Sequence, residues 1–236
     1  MKAGIKASDT GTAYILFIGR PGVLSVKAEG TLSVFIDYFG KDRFSRMIPG
    51  TGFGVMIELD AGELKARARE LRAGDKVLLS GTVYTSRDAA HKRIKQLLES
   101  GGKLPYELNG AAVYYAGPTA AKEGMVIGSC GPTTSSRMDV YSPEFLDLGL
   151  AAMIGKGERS EAVCEAICRN GAVYFCAVGG AGALAAKCIT ECEVIAFEDL
   201  GCESVKRLRF EKFPLITAID SCGGNIFKTG RASFAR

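Results

Sequence analysis

Lys76-Val77-Leu78-Leu79-Ser80-Gly81-Thr82-Val83-Tyr84-Thr85 runs through Ser86-Arg87 into Asp88-Ala89-Ala90-His91-Lys92-Arg93-Ile94-Lys95-Gln96-Leu97-Leu98. The first ten residues alternate and are rich enough in β-branched types to predict a strand with one buried face. In the second segment Ala90, Ile94, Leu97 and Leu98 fall at helical spacing. A strand feeding a helix through two residues is the repeating unit of α/β proteins.

The same reading extends in both directions. Upstream, residues 61–71 predict a short charged helix ending at Gly74. Downstream, 111–116 reads as a strand. A Gly131-Pro132 turn then leads to a helix from Ser135 towards Leu148, which Pro143 must kink or interrupt. Residues 151–154 predict a buried strand, and 160–169 a helix closed by Asn170-Gly171. Strand 173–178, helix 181–189 and strand 194–197 follow, and 205–210 with 215–219 read as a closing strand pair. The expected class is α/β with mixed strand directions. Residues 1–57 read differently: 14–18, 23–26 and 32–38 are β-type runs broken by Gly-Arg-Pro-Gly, Glu-Gly and Gly-Lys-Asp. They are an unassigned β-type extension or sequence upstream of the true start; 58–230 form the main domain and 231–236 a tail.

Composition narrows the function only loosely. The 236 residues are 47% hydrophobic and 24% charged, which argues against disorder. Lysine and arginine alternate with acids, and the net charge is only +4, so no basic stripe marks a nucleic-acid surface. No apolar run is long enough to span a membrane, and no secretory leader is visible; the cytoplasm is the expected compartment. None of the eight cysteines falls in a CxxC pair. They are expected to be free thiols that pack as small hydrophobes, with no metal ligands on this chain.

Four stretches could carry chemistry. In Gly131-Pro132-Thr133-Thr134-Ser135-Ser136-Arg137-Met138 four hydroxyl residues precede an arginine at a helix start. One hydroxyl is enough for a cap, which contributes about 1 kcal/mol. An arginine in a first turn opposes the helix dipole unless an anion lies beside it. We therefore prefer an anion seat, for a carboxylate or a phosphate, to a mere cap. In Ser86-Arg87-Asp88, Asp88 is a natural N-cap, and Arg87 is either a ligand-binding group at a strand's carboxyl end or a solvated turn residue. His91, the one histidine, is more readily a packing residue, in a supporting position at most. Gly155-Lys156-Gly157 places a compact positive charge between two glycines, although a solvated turn lysine is the commoner case. Finally, residues 180–185 fit GxGxxA after a strand, with Glu198 where a ribose-binding acid would sit. Too few residues follow for a complete dinucleotide-binding domain, so tight strand–helix packing is the preferred reading there.

With these stretches in view, the chain resembles the β-subunit, or C-terminal domain, of class I iron–sulfur fumarate hydratases and their L-tartrate dehydratase relatives. The motifs are GDKVLLSGT at 74–82, SRDAAH at 86–91, LPYELNG at 104–110, Ala116-Gly117-Pro118, GPTTSSRMD at 131–139, GKG at 155–157, AVYFCAVGGAGALAAKCI at 172–189 and FPLITAIDSCGGNIF at 213–227. They occur in family order from Glu58 to Lys228. The resemblance implies a swivelling β/β/α domain that docks on a cluster-bearing α-subunit in an α2β2-type assembly. On this resemblance the [4Fe-4S] cluster is expected on the partner. The reaction implied is reversible hydration of a four-carbon dicarboxylate, fumarate to L-malate, with tartrate dehydration as the alternative. By motif position, Thr133 and Arg137 are catalytic and Arg87, Arg137 and Lys156 bind substrate carboxylates, with His91 and Asp88 in support. Two other classes compete: a nicotinamide-dependent oxidoreductase built on 180–185, and a non-catalytic assembly module that kept the fold.

Overall fold

In the computed structural model, which describes residues 14–17, 23–26 and 56–234, the chain divides into two units at residues 54 and 55. In the first unit β1 (Tyr14–Phe17) and β2 (Val23–Val26) form an antiparallel pair. The strand expected at 32–38 lies outside the described residues.

The second unit is built on a mixed sheet. Its strands are β3 (Ile57–Asp60), β4 (Lys76–Thr85), β5 (Ala112–Tyr114), β6 (Ala152–Gly155), β7 (Val173–Cys176), β8 (Ile189–Ala196) and β9 (Val205–Ile219). Their order is β3-β4-β5-β6-β7-β9-β8, and β4 also pairs with β9, so five strands close into a barrel-like ring. The helices are α1 (Leu64–Arg67), α2 (Asp88–Ser100), α3 (Ser142–Asp147), α4 (Glu161–Asn170), α5 (Gly182–Lys187) and α6 (Ile226–Phe234). The crossovers through α2, α3 and α4 each return the chain to a parallel neighbour, from β4 to β5, β6 and β7 in turn. The carboxyl ends of these four strands therefore lie at one end of the ring.

Closure depends on two long strands. Every second residue of β4 is buried, as its alternation predicted. One edge of β4 pairs with β9 from Lys76↔Ile216 to Thr85↔Lys206. The other edge is shared, with β3 over 77–80 and β5 at Tyr84 and Thr85. On β9 the second edge is likewise divided, between β8 up to Phe210 and β7 from Ile216. Between the two partners a bulge sets Glu211 and Lys212 against Ser80. Lys212 takes φ 46° there, and its N–H donates to Ser80 Oγ at 3.0 Å. A bulge sharpens the local bend, and the bend falls where each long strand changes partner.

The pleat then sorts side chains by face. Val77, Leu79, Val83, Tyr114, Ile154, Phe175, Phe210 and Phe213 pack in one core on the inner face. Phe210 and Phe213 stack at 4.2 Å. Val113, Tyr115, Met153 and Tyr174 face outward into a second core with Ile94, Phe145, Val163 and Ile167 of the helices.

Several local expectations change. The predicted helix at 61–71 is two short 3-10 turns flanking α1. The helix expected from Ser135 is interrupted, as Pro143 required: Ser135–Met138 is a separate 3-10 turn, and Pro143 lies in the first turn of α3, where its missing N–H costs nothing. The strand expected at 194–197 begins at Ile189. The expected pair 205–210 and 215–219 is one strand of 15 residues. Pro214 is tolerated inside it because it lies where β9 faces neither β8 nor β7.

The dinucleotide reading fails on topology: β9 runs antiparallel between β7 and β8, so α5 links no neighbouring parallel strands. Gly182 instead packs against the 129–131 segment, where a Cβ would meet Ser129 Oγ at 2.4 Å. Cys130 N–H donates to Gly182 O at 3.0 Å. No described helix is long and apolar enough to cross a membrane.

His91 lies in the outer core, fully buried. Its Nδ1 is 2.7 Å from Ser86 Oγ, Nε2 has no partner, and the ring packs against Phe145 and Tyr115. Burial, with the charge of Arg159 adding to it, pushes the imidazole down to about 3. In the unfolded chain it titrates near its ordinary value of about 6.5. Between these values the unfolded state binds the extra proton, so stability falls as pH drops through that window and levels off below it. Urea titrations of the wild type and His91→Gln from pH 7 to 3 test this. The expected result is a wild-type acid slope between about 6.5 and 3 that is reduced in the variant.

Candidate active site

The site forms where β4, β5 and β6 end. Ser86 and Arg87 leave β4, and Arg87, in extended backbone at φ −145°, is the N-cap position of α2. Asp88 is thus the first helical residue, one position beyond the cap expected for it. The orphan N–H of Ala89 is satisfied from a distance by Glu203 Oε2 at 3.0 Å. The other oxygen of Glu203 accepts from Arg87 Nη2 at 2.9 Å. Arg87 Nε donates to Asp88 Oδ2 at 3.3 Å, and the same oxygen is 3.2 Å from Arg137 Nη2. Arg137 Nη2 in turn donates to Thr133 Oγ1 at 2.6 Å. Glu203, Arg87, Asp88, Arg137 and Thr133 are therefore one connected polar chain.

The hydroxyl run at 133–136 does not cap. Thr134 stands at the N-cap of the 3-10 turn without a side-chain bond to it. The segment instead lies extended across the strand ends. Thr133 N–H donates to Tyr115 O at 2.7 Å, and Lys156 N–H to Thr133 O at 3.2 Å. Ser135 N–H donates to Lys156 O at 2.9 Å, completing a bridge between Thr134 and Lys156. Ser135 Oγ is buried, accepts from Lys156 N–H at 3.1 Å and lies 2.8 Å from the Tyr174 hydroxyl. Lys156 is therefore tied through its backbone to Thr133, Thr134 and Ser135, and its side chain is exposed.

A buried ion pair fixes the two segments to each other. Arg159, its side chain fully enclosed, donates from Nε to Asp139 Oδ1 at 2.7 Å and from Nη2 to Ser142 Oγ at 2.7 Å. Its guanidinium also covers the rings of Tyr115 and Tyr174. Asp139 Oδ2 accepts the Ser160 N–H at 2.6 Å. Removing one partner of such a pair strands a buried charge, at a cost of roughly 3–5 kcal/mol.

Arg87, Asp88, Thr133 and Arg137 thus meet in one network, with Lys156 beside it. His91 is set beneath, its backbone N–H bonded to Arg87 O at 2.8 Å and its ring in the core. Two arginines bond two carboxylates in the network, and the exposed Lys156 nearby adds a positive charge, an excess suited to an anion. A guanidinium hydrogen bond to Thr133 Oγ1 also stabilises that oxygen as negative charge develops. Glu203, Asp139 and Arg159 were not found from the sequence. Glu203 lies 116 residues from Arg87, and nothing in its local pattern marks it.

The described residues do not fit an iron–sulfur cluster. All eight cysteines are free thiols, and no three histidine, cysteine or acidic side chains gather where a metal could be held. Burial raises the thiol of Cys130 to about 12, the opposite of a ligating thiolate.

The chain also matches known sequences. The family profile described as Fumarase C-terminus matches residues 42–230. The putative L(+)-tartrate dehydratase subunit beta of Methanocaldococcus jannaschii is 39% identical over 170 residues, covering 70% of this chain and 87% of the relative. L(+)-tartrate dehydratase subunit beta of Escherichia coli is 36% identical over 172 residues, 71% of this chain and 84% of the relative. The anaerobic class I fumarate hydratase of the same organism is 34% identical over 187 residues, 76% of this chain but 33% of the relative. The chain therefore spans about a third of the fumarate hydratases it matches and most of the tartrate dehydratase beta subunits. On the profile match and these identities, the chain belongs to the fumarase C-terminus family.

Proposed function

We propose that this chain is the substrate-carboxylate half of a two-chain hydro-lyase that adds water reversibly to fumarate, giving L-malate. The observation that carries the reading is the bond from Arg137 Nη2 to Thr133 Oγ1, set in a chain with Arg87 and Asp88 and adjoining Lys156. Hydration requires a proton to reach one carbon while the neighbouring carboxylate takes up negative charge. Arg87 and Lys156 bind the substrate carboxylates. Thr133 gives its hydroxyl proton to that carbon and is reprotonated by the water whose hydroxyl adds to the other carbon; in the reverse direction it takes the carbon's proton and returns one to the departing hydroxyl. A threonine is a poor acid and base when free, and Arg137 compensates by stabilising the oxygen when it is charged.

The activation of water is assigned to a partner chain that carries the [4Fe-4S] cluster, since the cysteines here do not gather. A separate partner is supported by relatives of similar length that are named beta subunits. On this reading the domain swivels onto its partner to close the site in an α2β2-type assembly. A second reading, L-tartrate dehydration, is favoured by the 39% identity to a tartrate dehydratase beta subunit along most of that relative's length.

Co-expression with a cluster-bearing partner, followed by anaerobic assay on fumarate, L-malate and L-tartrate, tests the function. Turnover of fumarate is expected from the complex and none from this chain alone; activity of the isolated, metal-free chain overturns the two-chain reading. In that complex Thr133→Ala should lower kcat by about 10²–10⁴-fold, the range for a lost proton-transfer group, with KM little changed. Thr134→Ala, at an exposed side chain with no cap bond, should stay near wild type. Equal losses in both variants would remove Thr133 from the mechanism.

Arg87→Lys keeps the charge but not the planar fork. KM should rise by roughly 10-fold or more, the equivalent of one charge-assisted bond of about 1.5–3 kcal/mol. Wild-type kinetics in Arg87→Lys would show that Arg87 does not bind the substrate.

A further inference from the structure

We propose that Glu203 is a positioning residue for the dicarboxylate site, holding the guanidinium of Arg87 in register with the strand ends. The inference rests on the reading of Arg87 as a carboxylate ligand. Glu203 ends the 3-10 segment Glu198–Glu203, which joins β8 to β9. A helix cap needs one acceptor oxygen, and Glu203 Oε2 supplies it to the Ala89 N–H. The second oxygen and the charge go to Arg87 Nη2. Both side chains are mostly enclosed, at 22% and 23% exposure, so the pair is screened less than a surface pair.

The guanidinium is held on its other edges as well. Nε donates to Asp88 Oδ2, and Nη1 lies against Gly117, where a Cβ would approach to 2.7 Å. Glutamate on one side and a residue without a side chain on the other leave one placement for the fork. Preorganisation of this kind lowers the cost of binding a carboxylate.

The segment that carries Glu203 is fixed independently. The buried Lys206 ammonium donates to Gly201 O at 3.0 Å, Ser204 Oγ at 2.6 Å, and Cys202 O and Ser204 O at 3.4 Å each. Thr85 Oγ1, at the end of β4, donates to Ser204 O at 3.2 Å and accepts the Lys206 N–H at 2.9 Å. These bonds set the carbonyls on both sides of Glu203 while leaving its carboxylate for α2 and Arg87. The strand that ends in Arg87 also anchors the segment that orients it.

Glu203→Gln separates the two jobs, because a carboxamide oxygen still caps Ala89 but its NH2 cannot accept from a guanidinium. In the co-expressed complex this variant is expected to raise KM for the dicarboxylate by about 10-fold or more, with kcat nearly unchanged and melting within a few degrees of wild type. Glu203→Asp should recover part of the affinity. Gly117→Ala should raise KM as well, by pushing Nη1 aside with every charge still in place. A wild-type KM in Glu203→Gln, or a melting loss without a KM change, overturns the proposal. If the wild-type complex turns over no four-carbon dicarboxylate, the functional reading fails, and arginine side-chain NMR of the full isolated chain decides the positioning. Arg87 should then show hindered rotation about its Nε–Cζ bond in the wild type and averaged signals in Glu203→Gln. Identical Arg87 signals in the two proteins overturn it.

Discussion

Closure of the second unit depends on the antiparallel ladder between β4 and β9. Each strand keeps one edge for the other and divides its second edge between two partners. Without that ladder β4, β5, β6 and β7 would be an open parallel sheet with its inner face uncovered. With it, alternating residues of five strands enclose the stack of Phe210 and Phe213, and Tyr114 meets both rings edge-on. The same ladder brings residues 201–206 to the end of β4, within reach of Arg87. The barrel core and the electrostatics of the site are consequences of one pairing.

The site is held in two layers. The outer layer is the chain Glu203–Arg87–Asp88–Arg137–Thr133, part-buried to exposed, where charges keep donors free for a ligand. The inner layer is Arg159 with Asp139, closed off between aromatic rings, where every charge is matched. This division follows from dielectric: a charge that must bind something from water stays near water, and a charge that only holds backbone segments together can be enclosed if it is fully paired. Arg137 and Lys156 come from different crossovers, and the Asp139 carboxylate brings those crossovers together by bonding both Arg159 and the Ser160 N–H.

Much of this was legible in the sequence because it is local. Residues 76–85 announce a strand by alternation, 88–98 a helix by spacing, and Asn170-Gly171 a helix end, and all three are found. Arg87, Thr133, Arg137 and Lys156 stand out as charges and hydroxyls beside turns, and the strand ends bring them together. What could not be read is what depends on distant pairing. The bulge at Glu211 and Lys212 follows from register against Ser80, so 205–210 and 215–219 read as two strands where one continues. Asp88 was the obvious cap until a carboxylate 114 residues away from Ala89 took that role. The glycines at 180–182 fitted a phosphate turn in part but were better read as close packing, and what the letters could not name was the neighbour, the backbone and hydroxyl of 129–131 against Gly182. A short motif cannot specify which segment will lie against it.

The late arrival of β9 has a consequence for synthesis. Thr85 and Lys206, bonded in the finished protein, are 121 residues apart in sequence. While the chain emerges amino end first, the edge of β4 that β9 will cover has no partner, and the aromatic interior lacks Phe210 and Phe213. At about 5–20 residues per second this interval lasts roughly 6–24 seconds. An unpaired strand edge beside an apolar face is where chains associate wrongly. The nascent protein therefore depends, during those seconds, on whatever shields β4 until its own last strand is made.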